Sequence, residues 1–114
     1  MTESSLEALI KSTCKIPVFR GAESIIYPAA TLEITGYPVA LAGDGTCKLR
    51  ESEAVINLWF ENKSDRDTNE ALLLAALEAK DGTSIPDVAS FYDTTAKKYR
   101  SVFSFNFIPR QEET

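Results

Sequence analysis

The chain has 114 residues, 44% hydrophobic and 25% charged, with a formal net charge of −5, no histidine and two cysteines. That length suits one domain, is too short for two, and buries enough surface to fold without staples. The acidic balance excludes a general nucleic-acid binder and docking on an anionic membrane, both of which need a basic footprint.

The lack of histidine removes the commonest general base and any Ser-His-Asp or Cys-His nucleophile. Cys14 and Cys47 lie far apart in no ligand-like spacing, so the expectation is two reduced thiols, with a pairing between them left open. No apolar run approaches the ~20 residues of a membrane span. The first residues lack the basic and apolar regions of a signal peptide. The expectation is therefore a cytoplasmic protein, one domain over residues 1–114, frayed at 1–5 and 110–114.

In chain order, Leu6, Leu9 and Ile10 fall on one helical face and Glu7 and Lys11 pair at i,i+4 on another. This predicts a short amphipathic helix ending before Pro17. Val18, Phe19 and Arg20 fit an edge strand. Ile25, Ile26, Tyr27 and Pro28 form an apolar stretch suited to a sheet surface. Residues 30–35 alternate, with Leu32 and Ile34 on one side and Thr31, Glu33 and Thr35 on the other. A bend or bulge is expected at Gly36, Tyr37 and Pro38, at a sheet edge.

Residues 43–53 open with a turn signal and carry Asp44, Lys48, Arg50, Glu51 and Glu53. Extended segments flank them, so they read as a long hairpin with a mobile tip: either a solvated connection or a contact loop. Residues 54–82 organise the rest. Ile56, Leu58 and Phe60 make one face of a central strand, and Val55, Asn57 and Trp59 the other. Ser64 with Asp67, or Asp67 with Glu70, offers a helix N-cap. Residues 72–77 are strong helix formers, Lys80 suits a C-terminal dipole, and Gly82 fits the end of the helix.

Residues 83–98 show weak periodicity. Ser84, Ile85, Pro86 and Asp87 suit the cap and first turn of a short helix, and residues 93–98 a polar linker. Residues 99–108 alternate strongly, with Tyr99, Ser101, Phe103, Phe105 and Phe107 on one face. The expected architecture is α+β, two layers, a mainly antiparallel sheet of about four strands with two helices on one face.

The chemistry of a catalyst is missing. The carboxylate pairs Asp65/Asp67, Glu51/Glu53 and Glu112/Glu113 sit in polar stretches where a carboxylate titrates normally. Gly43 and Gly45 lack the further glycine, lysine and helix of a phosphate loop. Residues 65–70 lack the glycine of a calcium loop. Catalytic, cofactor and metal residues are assigned to none. Trp59 falls on the mixed face, so either loops cover it or it joins a subunit interface, where Trp is enriched. The candidate interaction residues are Asp44, Lys48, Arg50, Glu51, Glu53 and Trp59.

The order of elements carries a family resemblance. Its parts are the helix around Leu6 and Lys11, the Phe19-Arg20 segment, and Ile26, Tyr27 and Pro28 leading to Tyr37, Pro38 and Val39. A charged hairpin, the strand at 55–60, a helix at 69–79 and a last strand at 101–108 complete it. In this order the chain resembles the small tail-terminator or tail-completion (minor tail) proteins of long-tailed bacteriophages and prophages. The resemblance implies a structural virion protein and no enzyme: a homo-oligomeric ring, usually a hexamer, at the head-proximal end of the tail tube. It implies three partners: further copies of itself, the tail-tube protein and a head-completion or connector protein. It implies the host cytoplasm and then the virion tail as location, and no membrane or sequence-specific nucleic acid. Residues 83–98 have no counterpart in that pattern, which keeps a head–tail joining (neck) protein as an alternative. A small cytoplasmic ligand-binding or regulatory domain is the other.

Overall fold

The two strongest alternating segments of the sequence pair with each other at the centre of the sheet. The computed structural model describes residues 3–20, 25–38, 50–80 and 83–107. Its elements are α1 (Glu3–Cys14), β1 (Val18–Phe19), β2 (Ala29–Pro38), β3 (Arg50–Phe60), α2 (Lys63–Glu78), β4 (Asp87–Asp93) and β5 (Lys98–Phe107). The strand order is β1-β2-β3-β5-β4. β1 runs parallel to β2, and the other neighbours are antiparallel. The fold is α+β with five strands, one more than the sequence pattern predicts, and both helices lie on one face of the sheet.

The registers place Ile56 opposite both Leu32 and Phe103, Leu58 opposite Ala30 and Ser101, and Ala54 opposite Ile34 and Phe105. This lines up one apolar face across three strands. Leu32, Ile56, Leu58, Phe60, Phe103, Phe105 and Phe107 are buried there, together with Leu6 and Ile10 of α1 and Leu73 and Leu77 of α2. Each such side chain contributes about 1.5–3 kcal/mol on burial. The face assignments of both alternating segments therefore agree with the structure.

Helix ends follow local chemistry. α1 takes in residues 3–5 and stops at Lys15, whose φ of 58° is left-handed and whose N–H donates to the Lys11 carbonyl at 2.9 Å. The α2 cap is Asn62, not Ser64 or Asp67. Its extended backbone lets Oδ1 accept the Asp65 N–H at 2.9 Å. Asn ranks with Ser and Asp as a cap, and its earlier position adds a turn. α2 ends at Glu78, with Ala79 right-handed; Gly82 lies outside the described residues.

Three expectations are corrected. β2 runs unbroken through Gly36 and Tyr37 to Pro38, with no bulge. The reason lies in backbone phase. The Ala30 N–H donates across to the Pro17 carbonyl at 2.9 Å, so even-numbered residues of β2 turn their polar groups away from β3. Pro38 belongs to that set, and its missing N–H removes no bond to β3. Second, residues 50–53 belong to β3 and not to a connection: Arg50 pairs with Pro38, Glu51 with Tyr37, and Ser52 is buried opposite Phe107. Pairing with β2, joined by β5 from Ser52 onward, overrides their weak strand propensity. Third, residues 87–93 form a strand, not a helical turn. Pro86 stands just ahead of a strand, a place proline tolerates as well as the first turn of a helix.

The linker expected at 93–98 is the tight turn that joins β4 to β5. Asp93 Oδ1 accepts the N–H groups of Thr95 and Ala96, both at 3.0 Å, and Lys97 takes a left-handed φ of 59°. α2 is held over this hairpin by Arg66, which is only 5% exposed. Its guanidinium pairs with Asp67 at 2.8 Å and lies 5.9 Å from the Tyr99 ring centre. Its Nη1 reaches the Phe91 and Arg100 carbonyls at 3.5 and 3.4 Å. Glu70 Oε1 accepts the hydroxyls of Ser90 and Ser101.

Truncation of Phe105 to Ala is expected to cost about 3–5 kcal/mol in a urea melt, the penalty for a well-packed aromatic. A change near zero contradicts the assignment of the inner face.

Candidate functional site

The opposite face of the sheet carries no helix among the described residues, and its chemistry is set by strand register. Trp59 on β3 stands opposite Arg100 on β5, and Arg100 stands opposite Phe91 on β4. All three side chains therefore rise from one rung on the outer face. Arg100 lies between two rings, its guanidinium carbon 4.9 Å from the Trp59 centre and 5.4 Å from that of Phe91. Its Nε and Nη2 donate to Asn57 Oδ1 at 3.0 and 2.7 Å, and Nη1 donates to Asp93 Oδ2 at 3.0 Å. The Trp59 indole N–H donates to the same Asp93 oxygen at 3.3 Å, and Asn57 Nδ2 donates to Thr31 Oγ1 at 3.2 Å.

A second tier sits over the rung. Tyr27 packs edge-on against Trp59, with centroids 5.9 Å apart. The Lys98 ammonium lies 5.0 Å from the Tyr27 centre. Of the apolar stretch at 25–28, Tyr27 thus lies against the outer sheet face while Ile26 stays 73% exposed, and Trp59 is left 8% exposed. The indole is covered within the chain, which leaves Tyr27, Arg100 and Phe91 as the more accessible groups of this face.

Asp93 is the electrostatic end of this network. The Ala96 N–H first, then the Trp59 indole, and after them Arg100 and the Thr95 N–H hold its carboxyl below the usual range against a smaller opposing effect of burial. The arrangement braces the face chemically: the donors of Arg100 and Trp59 are already bonded to acceptors on neighbouring strands.

The residues singled out from sequence are only partly brought together. Asp44 and Lys48 lie outside the described residues. Arg50 and Glu51 are placed as the first residues of β3, opposite Pro38 and Tyr37. Glu53 and Trp59 share the outer face of β3, but six residues apart, about 20 Å along a strand. Glu53 is half-buried and accepts from the Ser104 hydroxyl at 3.5 Å. Arg100, Asp93, Asn57 and Phe91 were not expected as a cluster, nor was Arg66 expected as the brace on the helix side. The available signal was the alternation in residues 88–92, Val-Ala-Ser-Phe-Tyr, followed by the turn chemistry of Asp93.

On the helix side, Cys14 is a free, buried thiol whose pKa burial pushes up to about 11; Cys47 lies outside the described residues. Among the described residues no cluster of Cys, Asp and Glu is placed to hold a metal ion. No described helix is long and apolar enough to cross a membrane. No protein-family model matches the chain, and no curated protein matches it at a significant level.

The depressed carboxyl of Asp93 fixes the sign of a pH effect. Its contribution to stability is complete above the ordinary carboxylate value and is lost as pH falls through the lowered, folded value. Wild-type stability is expected to fall from about pH 4 downward, and Asp93→Asn to flatten that limb in urea melts across acidic pH. Identical acid limbs in the two proteins contradict the network.

Proposed function

We propose that this chain is a structural subunit of a long-tailed phage, a tail terminator or completion protein that closes a ring at the head-proximal end of the tail tube. The observation that supports this most is the layout. The order helix, short strand, long strand, long strand, helix, last strand is the order on which the resemblance rests, and here it builds a two-layer subunit with one open, braced face. On that face Arg100, Asn57, Asp93 and Trp59 bond with one another. A ligand-binding domain needs convergent polar groups left for its ligand, so the face fits a packing surface better than a pocket.

In this reading the chain turns over no substrate. It acts through further copies of itself, the tube protein below and a head-completion protein above. A ring uses two different flanks of each subunit, closing by rotation. The net negative charge keeps passing DNA from adhering. β4 fills the stretch that the tail-terminator pattern leaves without a counterpart, and this favours the neck-protein reading as the second choice. Both readings place the chain at the head–tail junction.

Cryo-electron microscopy of phage particles, or of tail tubes assembled with this chain, tests the proposal. Ring density that fits the five-stranded subunit at the head-proximal end of the tube is expected. Its absence from the particle, together with saturable binding of a small metabolite, contradicts it.

A further inference from the structure

Edge strands in soluble proteins guard themselves with charge, proline, bulges or brevity. The interior of β4, residues 88–92, has none of these. Phe91 and Tyr92 are 43% and 47% exposed, on opposite faces of the strand. At the other flank of the sheet, β1 covers β2 at Ala30 and Thr31 alone. The same ladder takes the Leu32 N–H to the Phe19 carbonyl, so among the described residues 33–38 form a second unpaired edge.

The backbone phase of both edges is fixed by hydrogen bonds. The Ala30 N–H points to Pro17, so Leu32, Ile34 and Gly36 also turn their polar groups outward. At the far side, the Ser84 N–H donates to the Asn106 carbonyl at 2.8 Å. Even-numbered residues of β5 therefore face β4. Their partners in β4 are the odd-numbered Asp87, Ala89, Phe91 and Asp93. Val88, Ser90 and Tyr92 are left with outward N–H and C=O groups.

We propose that β4 of one copy pairs antiparallel with the free edge of β2 in the next copy, so that one sheet runs head to tail through successive subunits. Three independent features agree. The first is direction: β3 and β4 run opposite to β2 and β5, so a neighbour in the same orientation presents β2 antiparallel to β4. The second is pleat. Leu32, Ile34 and Val88 pack on the helix-side core, so both outward sets belong to residues of the inner face. Setting them opposite each other keeps every helix layer on one side of the joined sheet. A mismatch of phase at either edge puts successive helix layers on alternate sides.

The third feature is register. Ser90 opposite Ile34 sets Val88 against Gly36 and Tyr92 against Leu32. That register uses the outward N–H groups of Ile34, Gly36, Val88, Ser90 and Tyr92, the last on the Leu32 carbonyl, and leaves Pro38, which has none, beyond the end of β4. Main-chain bonds then supply affinity, and the exposed aromatic pair of β4 is covered by the neighbouring strand. The contact joins different flanks, so it closes only as a ring or continues as a filament.

The inference supplies the joint for the proposed ring and rests on that reading only for what the assembly serves. Gly36→Pro removes an outward N–H and no bond to β3; Ser90→Pro removes an outward N–H and no bond to β5, but also the Ser90 hydroxyl bond to Glu70, for which Ser90→Ala is the control. Wild-type protein is expected to grow beyond a monomer between micromolar and millimolar concentration in sedimentation velocity. Each proline variant is expected to stay monomeric while keeping the wild-type circular dichroism. In a Cys47→Ser background, Ser90→Cys protein mixed with Ile34→Cys protein is expected to form a disulfide between the two chains. A monomer at every concentration overturns the inference, as does cross-linking of Ser90→Cys protein to itself as a two-fold dimer. Cross-linked chains with no ring in the tail overturn the phage reading and leave the joint. A tail ring without the mixed disulfide does the reverse.

Discussion

Everything in this subunit depends on covering the inner face of β3 and β5. Ile56, Leu58 and Phe60 meet Phe103, Phe105 and Phe107 there, and the buried hydroxyls on this face are those of Ser101, which bonds to Glu70, and Ser52 at the far end opposite Phe107. An apolar face of that width demands a lid. α1 and α2 supply it with Leu6, Ile10, Leu73 and Leu77. The strand pairing fixes which residues face inward, and the helices then have one side of the sheet to occupy. The open outer face follows from the same choice.

Two buried or half-buried arginines, one on each side of the sheet, tie β4 to this frame. Arg66 reaches from α2 to carbonyls of β4 and β5, and Arg100 spans from Asn57 on β3 to Asp93 at the end of β4. A guanidinium has enough donors in a planar fork to bridge strands in this way, which a lysine has not. The hairpin at the sheet edge is thus anchored from both faces, while among the described residues its outer backbone has no strand partner. An edge so firmly held keeps its polar groups aligned for another strand, and alignment in advance reduces the ordering cost of association.

The sequence made the core legible because period 2 in residues 55–60 and 99–107 is strong and its phase is unambiguous. The short strand at Val18 and Phe19 was readable as an edge strand, whereas the edge expected at residues 36–38 was read from a bulge that β2 does not have. The strand β4 was not. Its alternation mixes Ser, Ala, Phe and Tyr, and Ser84 with Pro86 imitates the start of a helix. Its pairing with β5 decides the matter, and pairing is a tertiary effect that no local window contains. Arg100 was hidden for the same reason: only the register sets it between Trp59 and Phe91. Trp59 was correctly placed on the mixed face, but what covers it, Tyr27 and Arg100, comes from segments far away in the chain.

The central claim is that the subunit is unfinished at two sheet edges of matched phase. Residue-resolved amide exchange in dilute and concentrated protein tests this most directly. The N–H groups of Ile34, Gly36, Val88, Ser90 and Tyr92 are predicted to exchange quickly in the monomer and slowly in the assembly. Those of Ala89 and Phe91, bonded within the subunit, are predicted to be protected in both. Equal protection of the outward set at both concentrations, or new protection confined to the outer face around Tyr27 and Arg100, contradicts it.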